Sequence, residues 1–288
     1  MQTLPQRQLG PTGRMVSAIG LGAMPMSLAG RPPESQSIAV IRRALELGVT
    51  LIDTADVYCL DDSDIGHNER LIARALAEAG QSAKGVVVAT KGGLRRPRGE
   101  WVVDARPERL REACERSLKA LGVERIALYQ LHAVDPRVPI EESVGELARL
   151  REEGKIEAIG LSNVNAQEID RAMRVAPIVS VQNRFHVRDR RFAIGNGALR
   201  RCEELGLAFL AYAPVGGTHG RRLISEDPAL RAVAQKHGAT PEEVALAWLL
   251  RQSPCVVPIP GASRLSSIES SVRSLSLVLD AEDLARIG

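Results

Sequence analysis

Val49-Thr-Leu-Ile-Asp-Thr-Ala-Asp-Val-Tyr58 is a short apolar run that closes on an acid, Asp53, with a tyrosine five residues beyond it. Two further runs end on an ionisable residue in the same way, Val86-Val-Val-Ala-Thr-Lys91 and Ile126-Ala-Leu-Tyr-Gln-Leu-His132. Runs of this length read as strands buried on both faces. Asp53, Tyr58, Lys91 and His132, set at the exits of such strands, suggest a catalytic site.

The same kind of run recurs along the chain, at Ser17 to Leu21, Thr50 to Asp53, Val86 to Lys91, Ile126 to His132, Ile156 to Ser162, Ile178 to Gln182, Leu207 to Tyr212 and Val256 to Pro260. Amphipathic segments separate them. Leu110, Ala113, Cys114, Ser117, Leu118 and Leu121 share one helical face, and Thr240-Pro-Glu-Glu243 has a cap residue, a proline at the first helical position and a glutamate three past the cap. Strands alternating with helices imply a parallel sheet, because each parallel connection needs a crossover. Eight such units predict an α/β fold of the (β/α)8 TIM-barrel type, with its site at the carboxyl ends of the strands. A doubly wound sheet is disfavoured, since Gly20-Leu-Gly22-Ala-Met-Pro25 lacks the third glycine of a dinucleotide turn.

Ahead of the first strand, Gly10-Pro-Thr-Gly13 carries turn chemistry between two strand-like flanks, predicting an N-terminal β-hairpin that caps the barrel bottom. With no linker or compositional break, residues 1–288 read as one domain. Leu94 to Ala105 and Pro214 to Asp227 are long for barrel connections and are expected to be functional loops.

The 38 basic residues against 35 acidic ones leave a net charge of +3, too even to recruit nucleic acid or an anionic membrane. No stretch reaches the roughly 18 apolar residues of a spanning helix, and Met1 to Arg7 lacks the apolar segment of a secretory signal, so a cytoplasmic protein, monomeric or weakly self-associating, is expected. Cys59, Cys114, Cys202 and Cys255 are scattered without metal-ligand spacing, and Asp61-Asp-Ser-Asp64 with His67 reads as a polar loop. No metal is expected.

The motifs Ile19-Gly-Leu-Gly22, Asp53-Thr-Ala-Asp-Val-Tyr58, Ala89-Thr-Lys91, Val181-Gln-Asn183, Ala211-Tyr-Ala-Pro214 and Pro258-Ile-Pro-Gly261 carry a resemblance. So do Ser117-Leu-Lys-Ala-Leu-Gly-Val-Glu-Arg-Ile-Ala-Leu-Tyr-Gln-Leu-His132 and Glu153-Gly-Lys-Ile-Glu-Ala-Ile-Gly-Leu-Ser-Asn163. Along nearly its whole length the chain resembles an aldo/keto reductase of the short-tailed bacterial kind. The resemblance implies NADPH-dependent reduction of an aldehyde or ketone to an alcohol, with Asp53, Tyr58, Lys91 and His132 as the catalytic tetrad. The alternative, from relatives that serve as channel subunits, is an NADPH-binding redox sensor with slow turnover.

Hydride arriving at a carbonyl carbon builds negative charge on oxygen, so a proton donor is needed beside it. Tyr58 is the candidate, with Lys91 expected to lower the phenol pKa, Asp53 to pair with Lys91, and His132 to bond the substrate oxygen. Tyr129 stands out of phase with His132 and reads as packing. For the cofactor, Ser162, Asn163 and Gln182 are expected at the nicotinamide carboxamide and Tyr212 stacked on its ring. The resemblance also places Gly22, Ala23, Met24, Asp53, Ala213, Pro214, Val215, Gly216, Ile259, Pro260, Gly261 and Ser263 along the cofactor.

Arg264 is expected on the 2′-phosphate, which puts NADP ahead of NAD, because guanidinium binds phosphate through paired hydrogen bonds. Ala213 stands where many relatives carry serine, with Gly216-Gly217 and Arg221-Arg222 as possible compensation. With the chain given to Gly288, the long substrate loop of mammalian members is expected to be absent and selection to fall to loops such as Leu94 to Trp101. There Trp101 is the candidate substrate wall, while Arg95, Arg96 and Arg98 read as a solvated charge run.

Overall fold

The computed structural model describes residues 4–288, with Thr218 and His219 described by their backbone alone. The chain opens with a hairpin, β1 (Gln6–Gln8) and β2 (Met15–Ser17), followed by β3 (Leu21–Gly22), α1 (Glu34–Glu46), β4 (Leu51–Asp53), α2 (His67–Ala79) and β5 (Val87–Gly92). A second small hairpin, β6 (Leu94–Arg95) and β7 (Val102–Val103), leads to α3 (Pro107–Leu121), β8 (Ile126–Leu131), α4 (Ile140–Glu152), β9 (Ile156–Ser162), α5 (Ala166–Met173) and β10 (Ile178–Arg184). After these come α6 (Ala198–Leu205), β11 (Ala208–Tyr212), α7 (Gly217–Ser225), α8 (Pro228–His237), α9 (Pro241–Leu250), β12 (Val256–Pro258), α10 (Leu265–Arg273) and α11 (Ala281–Ile287).

β3, β4, β5, β8, β9, β10, β11 and β12 pair in that order, all parallel. A parallel bridge between Gly22 and Gly261 joins the last edge to the first, helped by Gly20 N donating to Pro258 O and Gly22 N to Pro260 O, both at 2.9 Å. The sheet is thereby a closed eight-stranded barrel with helices outside, as the alternation predicts. Glycine is required at the seam: a Cβ on Gly22 would lie 2.8 Å from Ile259 O and 3.3 Å from Pro260 O, both backbone atoms that cannot step aside. Gly22→Ala is therefore expected to destabilise the fold by about 1–3 kcal/mol, the usual cost of overpacking. Urea unfolding at wild-type midpoint would show that the seam yields.

The hairpin plugs the barrel bottom. Leu9 packs with Val179, Ala208 and Leu210, while the Arg7 guanidinium donates to the carbonyls of Leu250, Ser253 and Val256. The expected first strand, Ser17 to Leu21, is corrected: Ser17 ends β2, and the barrel strand begins at Leu21. Val16, Ala18 and Ile19 are buried in any case, so their apolar signal is the same in a hairpin and its connector as in a barrel strand. Pro214 to Asp227 is not a plain loop either, since it carries α7, capped by Gly216 at φ 87°. Three glycines in Gly216-Gly-Thr-His-Gly220 hide that helix from propensity.

Elsewhere local rules hold. α3 buries Leu110, Ala113, Cys114, Ser117 and Leu121, and each fully buried leucine contributes about 1.5–3 kcal/mol. α9 starts with the reciprocal Thr240–Glu243 capping box. Inside the barrel, Leu51, Val87, Ala89, Leu128, Ala158 and Val257 form an apolar floor. Two residues further along their strands, on the same inward face, stand Asp53, Lys91 and Gln130.

Candidate active site

Lys91 is the centre of the polar layer above that floor. It is fully buried, and its ammonium donates to Asp53 Oδ2 at 2.7 Å, to Thr54 O at 2.7 Å and to Tyr58 OH at 3.0 Å. An ammonium has three protons, and all three are used. The other carboxylate oxygen of Asp53 accepts from Gln182 Nε2 at 2.7 Å and from Gln130 Nε2 at 3.4 Å. β4, β5, β8 and β10 thus contribute one side chain each to a single network.

Burial pushes the Lys91 pKa down, but Asp53 and Tyr58 more than reverse this and hold it above its ordinary value. The ammonium therefore persists without solvent. At Tyr58 burial pushes the phenol up and the Lys91 charge pulls it down; burial wins, so the pKa is raised. The expected downward pull of Lys91 is present, but the phenol is nearly sealed from water and desolvation of a phenolate outweighs one neighbouring cation. Burial, with the Lys91 charge adding to it, drives His132 well below the usual imidazole range. His132 is therefore neutral at physiological pH.

His132 lies one residue past β8, its peptide N donating to Gly92 O at 2.9 Å and its O accepting from Asn163 Nδ2 at 2.9 Å. Its Nδ1 is buried without a hydrogen-bond partner among the described residues. The ring meets Tyr58 edge to face at 5.8 Å, and Trp101 meets Tyr58 likewise at 6.4 Å. Asp53, Tyr58, Lys91 and His132 therefore converge, with Trp101 beside them.

Of the expected cofactor residues, Ser162 donates to Gln182 O at 2.8 Å, and Asn163 Oδ1 accepts from Tyr212 OH at 2.8 Å. Asn163 and Ala213 sit in the left-handed region at φ 59° and 49°, a conformation costing of order 1–3 kcal/mol that concentrates at functional sites. Gly22 ends β3 opposite Asp53 and Ala23 and Met24 follow it, Ala23 N donating to Asp53 O at 2.9 Å. Ile259, Pro260 and Gly261 run along the seam, Pro214 and Val215 lead into the cap of α7, and Ser263 and Arg264 stand at the start of α10. Arg264 is exposed and is the residue before the first turn of α10, which no side chain caps. Arg221 and Arg222, by contrast, lie 3.9 Å from Glu242 and 3.1 Å from Glu226.

Two residues escape sequence reasoning. Gln130 joins the Asp53 network, and the only hint was an amide in phase with His132 within an apolar strand. Arg96 is buried against the Tyr58 segment rather than solvated, whereas Arg98 is exposed and Arg95 half-buried. Tyr129 packs outside the barrel, its hydroxyl occupying the space a Cβ on Gly92 would need. No group of three or more potential metal ligands lies among the described residues, and no described helix is long and apolar enough to cross a membrane.

The aldo/keto reductase family model matches residues 18–288. A probable aldo-keto reductase 1 from soybean, Glycine max, is 36% identical over 97% of this chain and 87% of its own length. Among solved structures, a glycerol dehydrogenase from Gluconobacter oxydans superposes with TM-score 0.85 at 28% identity, over 98% of this chain and 93% of its own. An aldo/keto reductase from Klebsiella pneumoniae, in complex with NADP and acetate, gives TM-score 0.82 at 26% identity, over 99% and 94%. The chain belongs to the aldo/keto reductase family.

Proposed function

We propose that this aldo/keto reductase reduces a small aldehyde or ketone to an alcohol with NADPH, Tyr58 giving the proton and Asp53, Lys91 and His132 supporting it. The bacterial reading is part of the same proposal. The observation that carries it is the Lys91 ammonium bonded at once to Asp53 and to the Tyr58 hydroxyl, with a neutral His132 edge-on to the same phenol. NADPH, when bound, supplies the hydride.

The chain's own residues account for the rest. Tyr58 keeps its proton through neutral pH and holds it where charge develops on the carbonyl oxygen. Lys91 offers a fixed positive charge behind that oxygen, and Asp53 keeps it charged despite complete burial. His132, neutral, orients the carbonyl by hydrogen bonding. Ser162, Asn163, Gln182 and Tyr212 suit a carboxamide-bearing ring. The start of α10, which no side chain caps, supports this fit. A panel of carbonyl compounds followed at the NADPH absorbance band tests the function; NADPH oxidation independent of every carbonyl would sink it.

Arg264 bears on cofactor choice. Only NADPH has the 2′-phosphate, and a hydrogen bond to a charged group contributes about 1.5–3 kcal/mol, roughly 10- to 150-fold in affinity. Arg264→Ala is expected to raise the NADPH dissociation constant by about that factor and to leave NADH nearly unchanged. Fluorescence titration of both cofactors reads this out. Equal weakening of the two would place Arg264 elsewhere on the dinucleotide.

A further inference from the structure

Among the three arginines of Leu94-Arg-Arg-Pro-Arg-Gly-Glu-Trp101, Arg96 alone is buried. Its Nη2 donates to Cys59 O and Leu60 O, both at 3.2 Å, and its peptide N donates to Asp62 Oδ1 at 3.1 Å. These bonds tie the loop after β5 to the segment that directly follows Tyr58. The guanidinium lies over the Trp101 ring, its Cζ 4.0 Å from the centroid. Trp101 is 47% exposed and reaches Tyr58 with an edge-to-face contact at 6.4 Å.

A half-exposed indole has too little packing to hold one orientation by burial. A guanidinium against its face can hold it, at about 0.5–2 kcal/mol and more when desolvated. Arg96 is desolvated, and its Nε and Nη1 have no hydrogen-bond partner among the described residues, so the ring face is what compensates them. Those donors are shut off from solvent. Arg96 is therefore suited to act through Trp101 and not by binding an anionic substrate directly.

We propose that Arg96 is a specificity-determining positioning residue, which pins Trp101 as a wall over Tyr58 and so sets the fit of carbonyl compounds large enough to touch that wall. This rests on the reductase reading of the Tyr58 site. On this proposal three-carbon carbonyls are expected to be indifferent to Arg96, whereas aromatic aldehydes, large enough to reach the indole, are expected to respond to it.

The test compares wild type with Arg96→Met and Arg96→Lys, using glyceraldehyde and 4-nitrobenzaldehyde with saturating NADPH. The expected result is a KM for the aromatic aldehyde raised about 3- to 30-fold in both variants, with kcat, the glyceraldehyde KM and NADPH affinity close to wild type. A lysine retains the charge but not the planar stack, so its failure to rescue supports the proposal. In Trp101→Leu, whose exposed site leaves folding intact, adding Arg96→Met should change nothing further. Equal KM increases for both aldehydes, or an additive double variant, overturn the proposal. An independent arm reads Trp101 fluorescence anisotropy in a Trp248→Phe background, where Arg96→Met should lower it; unchanged anisotropy also overturns the proposal. Should wild type reduce neither aldehyde, the anisotropy arm still decides the Arg96–Trp101 contact, and the reductase reading of the site is decided separately by the panel of carbonyl compounds.

Discussion

Tyr58→Phe is expected to lower carbonyl reduction by roughly 10²- to 10⁴-fold, the usual worth of a positioned general acid, while NADPH affinity stays at its wild-type value. The substitution removes one hydroxyl and keeps the ring, so the edge-to-face contacts with His132 and Trp101 survive. Lys91 loses one of three acceptors and keeps Asp53 and Thr54 O. The fold should therefore tolerate the change, and the loss should fall on turnover. Steady-state kinetics with a cofactor titration on the same preparation checks it. Turnover near wild type would remove Tyr58 from the role of proton donor.

Lys91→Met is expected to affect stability and pH dependence together. The variant leaves the Asp53 carboxylate buried with only amide donors from Gln182 and Gln130, and breaking a buried pair on one side costs about 3–5 kcal/mol. Because the folded pKa of Lys91 is raised, its contribution is fully present below the unfolded value of about 10.4 and is lost as pH rises through the folded value. The Lys91→Met deficit should thus be constant through neutral pH and shrink only at strongly alkaline pH. Urea unfolding at a series of pH values measures this.

The same variant removes the charge that pulls the Tyr58 phenol down and leaves the burial that pushes it up. The alkaline limb of the reduction profile should then move to higher pH while its plateau falls. A limb that stays in place would disconnect Lys91 from Tyr58.

Much of this molecule is legible from short-range pattern. The alternation of buried runs and amphipathic segments yields the eight barrel strands, with one strand displaced, and the Thr240–Glu243 cap is read to the residue. Asp53, Lys91 and His132 could be picked out because β4, β5 and β8 carry no charged residue before them, so the first charged or titratable side chain at the end of each run marks its exit from the barrel. Their convergence follows from topology, since every such exit in a (β/α)8 fold opens on the same rim.

What only the tertiary structure decided depends on partners remote in sequence. Arg96 looks like any loop arginine until carbonyls 36 and 37 residues earlier accept from it and Trp101 covers it. Gln130 looks like a stray amide until β4 brings Asp53 alongside, 77 residues away. The Tyr58 pKa has no sign in the sequence at all: Lys91 argues for a lowered value, and the enclosing barrel mouth, by removing water from the phenolate, raises it. Periodicity reports which face of an element is dry. The desolvation of a given polar atom, and the group that answers it, are properties of three-dimensional closure, because both depend on distances between segments that no local pattern encodes.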